Sequence, residues 1–304
     1  MRLSRLLPKP VFYVLAGGGA HGAVQWGALQ ALGQTDLVPD AIVGSSAGAL
    51  NGAVFAEDVA SGVSRVGFVW GQISARDVVG DKWLTRGIVK VRSAGLVSDE
   101  SERRSLESIL HTERIEDLDV PFAAIATDLA TGAPHAFDSG PLIPALLASS
   151  AIPGILPPVE IDGRPYVDGL ASANLPAIPA VQRGAGSIVV LDTGTRRAGD
   201  VGVSAPKVLS RVSSIMAASQ RKRQLRDAAH HVPVVLLPTP DDLSGSLDFD
   251  GTMRTGANSY AMARDFLADL SLQRRRKLRP GLYARADDHG VGTELQSLLK
   301  AVPR

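Results

Sequence analysis

Short apolar runs without polar alternation constrain the fold of this chain more than any other feature. They are rich in Val, Ile and Ala, which is typical of strands in a sheet whose two faces are both covered. Helix-length segments separate the runs, and alternation of strands with helices predicts a mostly parallel sheet. The runs are Val11–Ala16, Ala41–Ser45, Phe122–Thr127, Ser187–Asp192 and Val232–Leu237. The intervening helical segments are Ala20–Leu32, Ala47–Glu57, Ser101–His111 and Asn174–Arg183.

Three other segments extend this reading of the fold. Val159–Ile161 and Arg164–Val167 flank Asp162-Gly163, which predicts a hairpin with a two-residue turn. Residues 140–159 contain five prolines. A membrane-spanning helix would not tolerate so many breaks, so we expect a short helix followed by a buried apolar loop. Trp83–Leu110 is less regular and more charged, as expected of a cap or lid beside a site.

Composition and charge narrow the partners and the compartment. The formal net charge of +1 gives no general attraction to nucleic acid, and we expect no such partner. The chain has no cysteine, which excludes disulfides and thiol chemistry and fits a reducing, cytoplasmic compartment. Basic clusters at residues 221–226 and 274–279 have two readings, a solvated helix face or peripheral contact with anionic lipid headgroups.

A serine motif follows the second apolar run. Gly44-Ser45-Ser46-Ala47-Gly48 has the form G-x-S-x-G, in which the central serine sits on a sharp strand-to-helix turn that exposes its hydroxyl. The flanking glycines let strand and helix approach, and the helix start places positive dipole character beside Ser46. The pentapeptide alone also allows a serine that only caps the helix, and Ser45 is the competing hydroxyl.

A glycine loop follows the first apolar run. Gly17-Gly18-Gly19-Ala20-His21-Gly22 stands at a helix start, where backbone N–H groups can bind negative charge. One reading is an oxyanion hole formed by the N–H groups of Gly18 and Gly19. A dinucleotide-binding loop has the same glycine spacing but requires an acidic residue at the end of the next strand. That strand ends in Ser45-Ser46, which argues against a nucleotide, and a turn without a ligand remains open.

A reactive serine also needs a proton acceptor. The order Ser46, Asp168, His289 would match the α/β-hydrolase triad, but His289 lies in a sequence typical of an exposed turn. His230 and His231 precede a strand, at the wrong end of a parallel sheet for its site. We favour Asp168 itself, because apolar surroundings would raise its pKa toward that of a useful base. Without such surroundings, Asp168 would begin an ordinary Asp-Gly turn.

Taken together, the motifs resemble those of the patatin-like phospholipases. The resemblance spans roughly residues 11–195 and consists of five blocks in the family's order. The blocks are Leu15-Ala16-Gly17-Gly18-Gly19-Ala20-His21-Gly22, Gly44-Ser45-Ser46-Ala47-Gly48, Ala126-Thr127-Asp128-Leu129-Ala130-Thr131-Gly132, Ala148-Ser149-Ser150-Ala151-Ile152-Pro153 and Asp162-Gly163-Arg164-Pro165-Tyr166-Val167-Asp168-Gly169, with Asn174 and Pro176 following.

The resemblance implies a three-layer α/β/α fold with a mostly parallel central sheet. Residues 1–10 would be an N-terminal extension, residues 11–195 the catalytic core, and residues 196–304 a remaining strand and a helical C-terminal part of the same domain. The implied activity is hydrolysis of lipid esters without a metal or cofactor. Ser46 corresponds to the nucleophile, Asp168 to the base, and Gly17, Gly18 and Gly19 to the oxyanion hole. The supporting motif residues are His21, Gly22, Gly44, Gly48 and Gly169.

Two positions depart from the family pattern. His21 stands where patatin-like proteins usually have Arg or Lys, and a histidine is only partly charged near neutral pH. Leu170 adds bulk after Asp168-Gly169, where the family usually has Gly or Ala. Three functions are therefore compatible with the sequence: a phospholipase, a carboxylesterase for small esters, and a lipid-binding or regulatory protein with a weak site.

Overall fold

The computed structural model describes residues 1–72, 99–194, 205–241, 243, 249, 251–285, 295 and 297–302. Within these ranges, the strands form a single nine-stranded sheet. The strands are β1 (Val11–Leu15), β2 (Ala41–Ser45), β3 (Phe122–Asp128), β4 (Pro134–Phe137), β5 (Val159–Ile161), β6 (Arg164–Asp168), β7 (Ser187–Leu191), β8 (Pro233–Leu236) and β9 (Gly281–Tyr283).

Helices follow most of these strands. The α-helices are α1 (Ala23–Leu32), α2 (Ala47–Glu57), α3 (Val59–Gln72), α4 (Asp99–Ile109), α5 (Leu142–Ser150), α6 (Ala177–Gln182), α7 (Ala205–His231) and α8 (Thr252–Gln273). Short 3₁₀ turns cover Gly19–Gly22, Ile115–Asp117 and Gly169–Ala171. The predicted first helix, Ala20–Leu32, ends at the same residue as α1, but its first three residues form a 3₁₀ turn and not an α-helix.

The sheet is mostly parallel, as predicted. Its order is β5-β6-β3-β2-β1-β7-β8-β9, and β4 pairs with β3 beside this path. The strands from β3 through β2, β1, β7 and β8 to β9 are parallel to their neighbours. The hairpin strands β5 and β6 are antiparallel to each other, and β6 is antiparallel to β3.

Both faces of the sheet are buried, which explains the lack of polar alternation in its strands. Along β1, Val11, Tyr13 and Leu15 belong to one hydrophobic cluster, whereas Phe12 and Val14 belong to another. The first cluster contains residues of α1, α2, α3, α5 and α8, and the second contains residues of α6 and α7. The predicted three-layer α/β/α arrangement is thus confirmed.

The five predicted strands agree with the structure to within one residue at each end. The hairpin is also confirmed, since Asp162 and Gly163 take φ angles of 51° and 73°. The loop after α5 was expected to be buried, but Pro153, Gly154 and Pro158 are exposed. Sequence reasoning missed β4 and β9, which are short strands of four and three residues. Most of the predicted lid, residues 83–98, lies outside the described residues.

In the described parts of the chain, every helix lacks either the length or the hydropathy needed to cross a membrane.

Helices α1 and α8 cross at a close backbone contact. A Cβ on Gly27 would collide with the carbonyl oxygen of Gly256 and lie 2.7 Å from the amide nitrogen of Tyr260. The hydroxyl of Ser259 donates a hydrogen bond of 2.7 Å to the carbonyl of Val24 at the same crossing. The two helices can therefore approach this closely only because Gly27 has no side chain.

Gly27→Ala should lower the free energy of unfolding by about 1–3 kcal/mol or more, because the new methyl group must push the two backbones apart. Urea unfolding of the purified variant measures this loss. Gly71→Ala is the matched control, since a Cβ there would meet only the Met253 sulfur, at 3.9 Å. Equal unfolding midpoints for the two variants would contradict the close contact.

Candidate active site

Ser46 occupies a strained turn between β2 and α2. Its φ and ψ angles are 53° and −128°, and it is one of two non-glycine residues with positive φ in the described chain. Such a conformation costs roughly 1–3 kcal/mol and persists only when the surrounding structure enforces it. This is the sharp strand-to-helix turn that the G-x-S-x-G pattern predicts.

The surrounding structure enforces the turn by bringing α2 against β1 and β2. A Cβ on Gly48 would lie 2.6 Å from the carbonyl oxygen of Ala16, and one on Gly44 would lie 2.7 Å from the Cα of Ala49. Both approaches are closer than any side chain allows. The glycines of the motif are therefore required for packing, as the sequence indicated.

A second serine holds the backbone of Ser46. The hydroxyl of Ser149 in α5 accepts a hydrogen bond of 3.0 Å from the Ser46 N–H, and donates one of 2.7 Å to the carbonyl of Ile125 in β3. Ser149 is fully buried. Ser149 belongs to one of the motifs found in the sequence, but the sequence indicated no role for it, because its partner lies 103 positions away.

Strand β3 brings Asp168 to the level of Ser46. Strands β2 and β6 pair with the same side of β3, and β4 pairs with the other side. Ser45 pairs with Ile125, and Asp168 pairs with Ala126, the next residue of β3. Asp168 therefore comes from an antiparallel strand and lies near the carboxyl ends of the parallel ones. Ser46 is 7% exposed and Asp168 only 1% exposed, so the pair is almost shielded from water.

Burial raises the pKa of Asp168 to about 6. The cause is the loss of hydration of the charged carboxylate. Two hydrogen bonds oppose this effect and lower the pKa, one from the backbone N–H of Leu170, at 2.7 Å, and one from the Ser46 side chain. At neutral pH the carboxylate is mostly ionised, and it accepts the hydrogen bond of the serine hydroxyl.

The competing serine has no such contact. The hydroxyl of Ser45 is buried and has no hydrogen-bond partner among the described residues. A Cβ on Gly169 would collide with this hydroxyl and would lie 2.7 Å from the carbonyl oxygen of Ile125. The residue after Asp168 must therefore be glycine, and Ser46 is the serine that meets the carboxylate.

The glycine loop runs beside Ser46, and both the backbone N–H and the carbonyl of its first residue form hydrogen bonds. The N–H of Gly17 donates to the carbonyl of Asn174 at 2.8 Å. The carbonyl of Gly17 accepts hydrogen bonds from the Thr193 hydroxyl at 2.8 Å and from the Asn174 side chain at 3.2 Å. A Cβ on Gly17 would lie 3.0 Å from the Cβ of Ser46, so loop and serine are in direct contact.

These contacts fix the direction of the next N–H group. The peptide unit is planar, so the N–H of Gly18 points opposite to the carbonyl of Gly17 and away from Thr193. No described residue accepts a hydrogen bond from the N–H of Gly18 or Gly19. Of the three glycines, Gly17 thus has its donor occupied, whereas the donors of the other two have no acceptor among the described residues.

A buried ion pair lies behind the loop. The guanidinium of Arg221 in α7 donates to the carboxylate of Asp192 at 2.6 Å, and both side chains are buried. Asp192 immediately precedes Thr193, at the carboxyl end of β7. The sequence predicted that Arg221 belongs to a basic cluster that is either solvated or in contact with lipid, and this is wrong, because its side chain is buried. Its partner lies 29 positions away, so no local pattern indicates the pair.

The histidines lie apart from the carboxylate contact. His21 is buried in the 3₁₀ turn after Gly18, and its N–H donates to the Gly18 carbonyl at 3.2 Å. His230 and His231 are exposed at the end of α7, next to the start of β8 and thus at the opposite edge of the sheet. His289 lies outside the described residues. The structure describes no cluster of three or more His, Asp or Glu side chains suited to a metal ion within its ranges.

Comparison with known families gives a match over the same region. Residues 13–181, more than half of the chain, match the family model described as patatin-like phospholipase. This chain belongs to the patatin-like phospholipase family. The matched segment includes Ser46 and Asp168 but ends before Thr193 and Arg221.

Curated relatives of the family align with about two thirds of the chain. Patatin-like phospholipase domain-containing protein 7 from Mus musculus is 34% identical over 201 residues, which cover 64% of this chain and 14% of the relative. An uncharacterized NTE family protein from Mycobacterium tuberculosis is 31% identical over 198 residues, which cover 65% of this chain and 53% of the relative. The chain thus spans a small part of the first relative and about half of the second.

Solved structures with some likeness include two bacterial proteins. VipD from Legionella pneumophila has a TM-score of 0.46 at 14% identity, covering 86% of this chain and 67% of that one. ExoU from Pseudomonas aeruginosa, in complex with SpcU, has a TM-score of 0.38 at 15% identity, covering 88% of this chain and 54% of that one.

Asp168→Asn should change how stability depends on pH. The folded-state pKa of about 6 lies above the ordinary 3.8, so the stability that Asp168 contributes is full below about pH 4 and is lost as pH rises through about 6. Relative to Asp168→Asn, the wild type should lose about 3 kcal/mol of unfolding free energy between about pH 4 and about pH 8. Urea unfolding of both proteins at both pH values measures this. A difference that does not vary with pH would contradict a buried, titrating carboxyl group.

Proposed function

We propose that this protein is a lipid acyl hydrolase in which Ser46 is the nucleophile and Asp168 the general base. The hydrogen bond between the Ser46 side chain and the buried Asp168 carboxylate carries the proposal. Membership of the patatin-like phospholipase family supports a lipid ester as the substrate. No histidine is needed, because burial raises the pKa of Asp168 to about 6, within the range of a base that works near neutral pH.

In the acylation step, the Ser46 hydroxyl transfers its proton to Asp168 as its oxygen attacks the ester carbonyl carbon. The carbonyl π bond opens, and a tetrahedral intermediate with a negatively charged oxygen forms. When the intermediate collapses, the bond to the leaving alcohol breaks and the alcohol takes the proton from Asp168. The product of this step is an acyl ester on Ser46.

The glycine loop supplies the electrostatic part of the mechanism. The N–H groups of Gly18 and Gly19 lack an acceptor among the described residues, and they follow the glycine that touches Ser46. They stabilise the oxyanion in both tetrahedral intermediates. Gly17 contributes through its carbonyl and its missing side chain, since its own N–H is occupied by Asn174.

Deacylation repeats the sequence with water. Asp168 takes a proton from a water molecule as the water oxygen attacks the acyl carbon, and a second tetrahedral intermediate forms. The bond to Ser46 then breaks, the serine oxygen recovers the proton from Asp168, and the fatty acid leaves. Atoms and charges balance without a metal or a cofactor.

Ser46→Ala should abolish both ester hydrolysis and covalent labelling by a fluorophosphonate probe, because the attacking oxygen is gone. Ser45→Ala is the matched control, since it removes a neighbouring hydroxyl that has no partner among the described residues. Labelling followed by mass spectrometry and hydrolysis of a phospholipid panel measure the two effects. Ester hydrolysis that survives in Ser46→Ala, or labelling that disappears in Ser45→Ala instead, would refute the assignment.

Thr193→Val should lower kcat by about tenfold with a smaller change in KM, because the Gly17 carbonyl loses its 2.8 Å hydrogen bond and the Gly18 N–H loses its fixed direction. Thr193 acts here as a positioning residue. Steady-state kinetics on a soluble ester measure the effect, and Thr193→Ser, which keeps the hydroxyl, should restore most of kcat. Unchanged kcat in Thr193→Val would show that the loop does not depend on this bond.

A further inference from the structure

The N-terminal half of α7 has an exposed apolar face that the core does not use. Val208, Val212, Ile215 and Met216 are 43%, 46%, 53% and 54% exposed. Their spacing places them on one side of the helix. The C-terminal half of the same helix is different, since Leu225, Ala228 and Ala229 are buried against the sheet. We call the four exposed residues the α7 apolar face.

Two contacts show which part of α7 lies at the carboxyl edge of the sheet, near the candidate active site. The Gln220 side chain donates a hydrogen bond of 2.8 Å to the carbonyl of Ala171, three residues after Asp168. Arg221 pairs with Asp192 at the carboxyl end of β7. From this level α7 runs along the sheet toward the start of β8. Residues 205–219 therefore extend in the opposite direction. They project about 22 Å beyond the carboxyl edge of the sheet, at 1.5 Å per residue.

Exposed apolar side chains also occur at this edge in the opposite helical layer. Phe68, near the end of α3, and Met253, in the first turn of α8, are largely exposed. The end of α3 lies by the glycine loop, because the Trp70 indole donates to the Asn51 side chain, which in turn donates to the carbonyl of Gly22. Apolar groups thus flank Ser46 from both layers.

The charge of α7 complements an anionic surface. Its residues 205–226 contain no Asp or Glu, whereas basic side chains recur along the helix. These basic residues include Arg211, Lys222 and Arg223, whereas Arg226 pairs with Asp227. An apolar face combined with basic residues is the pattern of helices that insert shallowly into the interface of an anionic membrane.

We propose that the α7 apolar face docks this protein on an anionic lipid surface and turns the carboxyl edge of the sheet toward it. The inference rests on the proposed function, because a lipid surface is also where an acyl hydrolase would find its ester. In this arrangement Ser46 faces the membrane, and the projecting part of α7 enters the headgroup layer.

Vesicle sedimentation tests the docking without any turnover. The parent is Ser46→Ala, with vesicles of phosphatidylcholine alone or of phosphatidylcholine mixed with phosphatidylglycerol. The parent should bind the mixed vesicles more tightly. Adding Ile215→Glu and Met216→Glu should weaken this binding by about tenfold or more, since two apolar contacts are lost and two negative charges are introduced. Val212→Glu, on the same face, should weaken it in the same direction.

Leu272→Glu is the matched control. Leu272 is 78% exposed at the end of α8, at the opposite edge of the sheet, so its substitution should leave vesicle binding unchanged. Thermal unfolding shows whether each variant is folded. Equal binding by the Ile215→Glu/Met216→Glu variant and the parent would overturn the proposal. So would a parent that is dimeric by light scattering and a variant that is monomeric without loss of vesicle binding.

A separate measurement keeps this proposal distinct from the proposed function. In the chain that retains Ser46, the α7 substitutions should leave hydrolysis of a soluble short-chain ester unchanged and reduce hydrolysis of vesicle phospholipid. Absence of any ester hydrolysis would count against the function but not against the vesicle binding of the Ser46→Ala protein. Equal loss on both substrates would count against docking, because the substitutions would then act on the site itself.

Discussion

The close approach of helix α2 to strands β1 and β2 is the constraint on which the site depends. It leaves no room for a side chain at Gly44 or Gly48, and it forces Ser46 into a positive φ of 53°. The same approach puts the serine against Gly17, the first residue of the glycine loop. A single packing contact therefore presents the hydroxyl at the turn and places backbone donors next to it, and the surrounding core must stabilise the local strain.

The sheet register completes the arrangement by placing a carboxylate where water is nearly absent. Strands β2 and β6 follow one another along the same side of β3, so Ser46 and Asp168 meet although they are far apart in the sequence. Burial raises the Asp168 pKa to about 6, which makes the carboxylate a better base than it would be in water. Folding stability is lowered when this group ionises, and the proposed chemistry uses the basicity gained.

The strands, the serine turn and Asp168 could be predicted because each has a local pattern. Apolar runs, the glycine spacing and an Asp-Gly pair after a strand can all be read within a few residues. The roles of Ser149 and Thr193 could not be read in this way, because their partners lie 103 and 176 positions away. Arg221 was assigned to a surface cluster for the same reason, and β9 was missed because three residues carry little pattern.

The rate at which a fluorophosphonate labels Ser46, measured from about pH 5 to about pH 8, tests the central claim most directly. Phosphonylation requires the serine to lose its proton to the base, so its rate reports the ionisation of the group that accepts that proton. With Asp168 as the base, the rate should rise with pH through a single midpoint near the pKa of about 6. A rate that is independent of pH across this range would contradict the account.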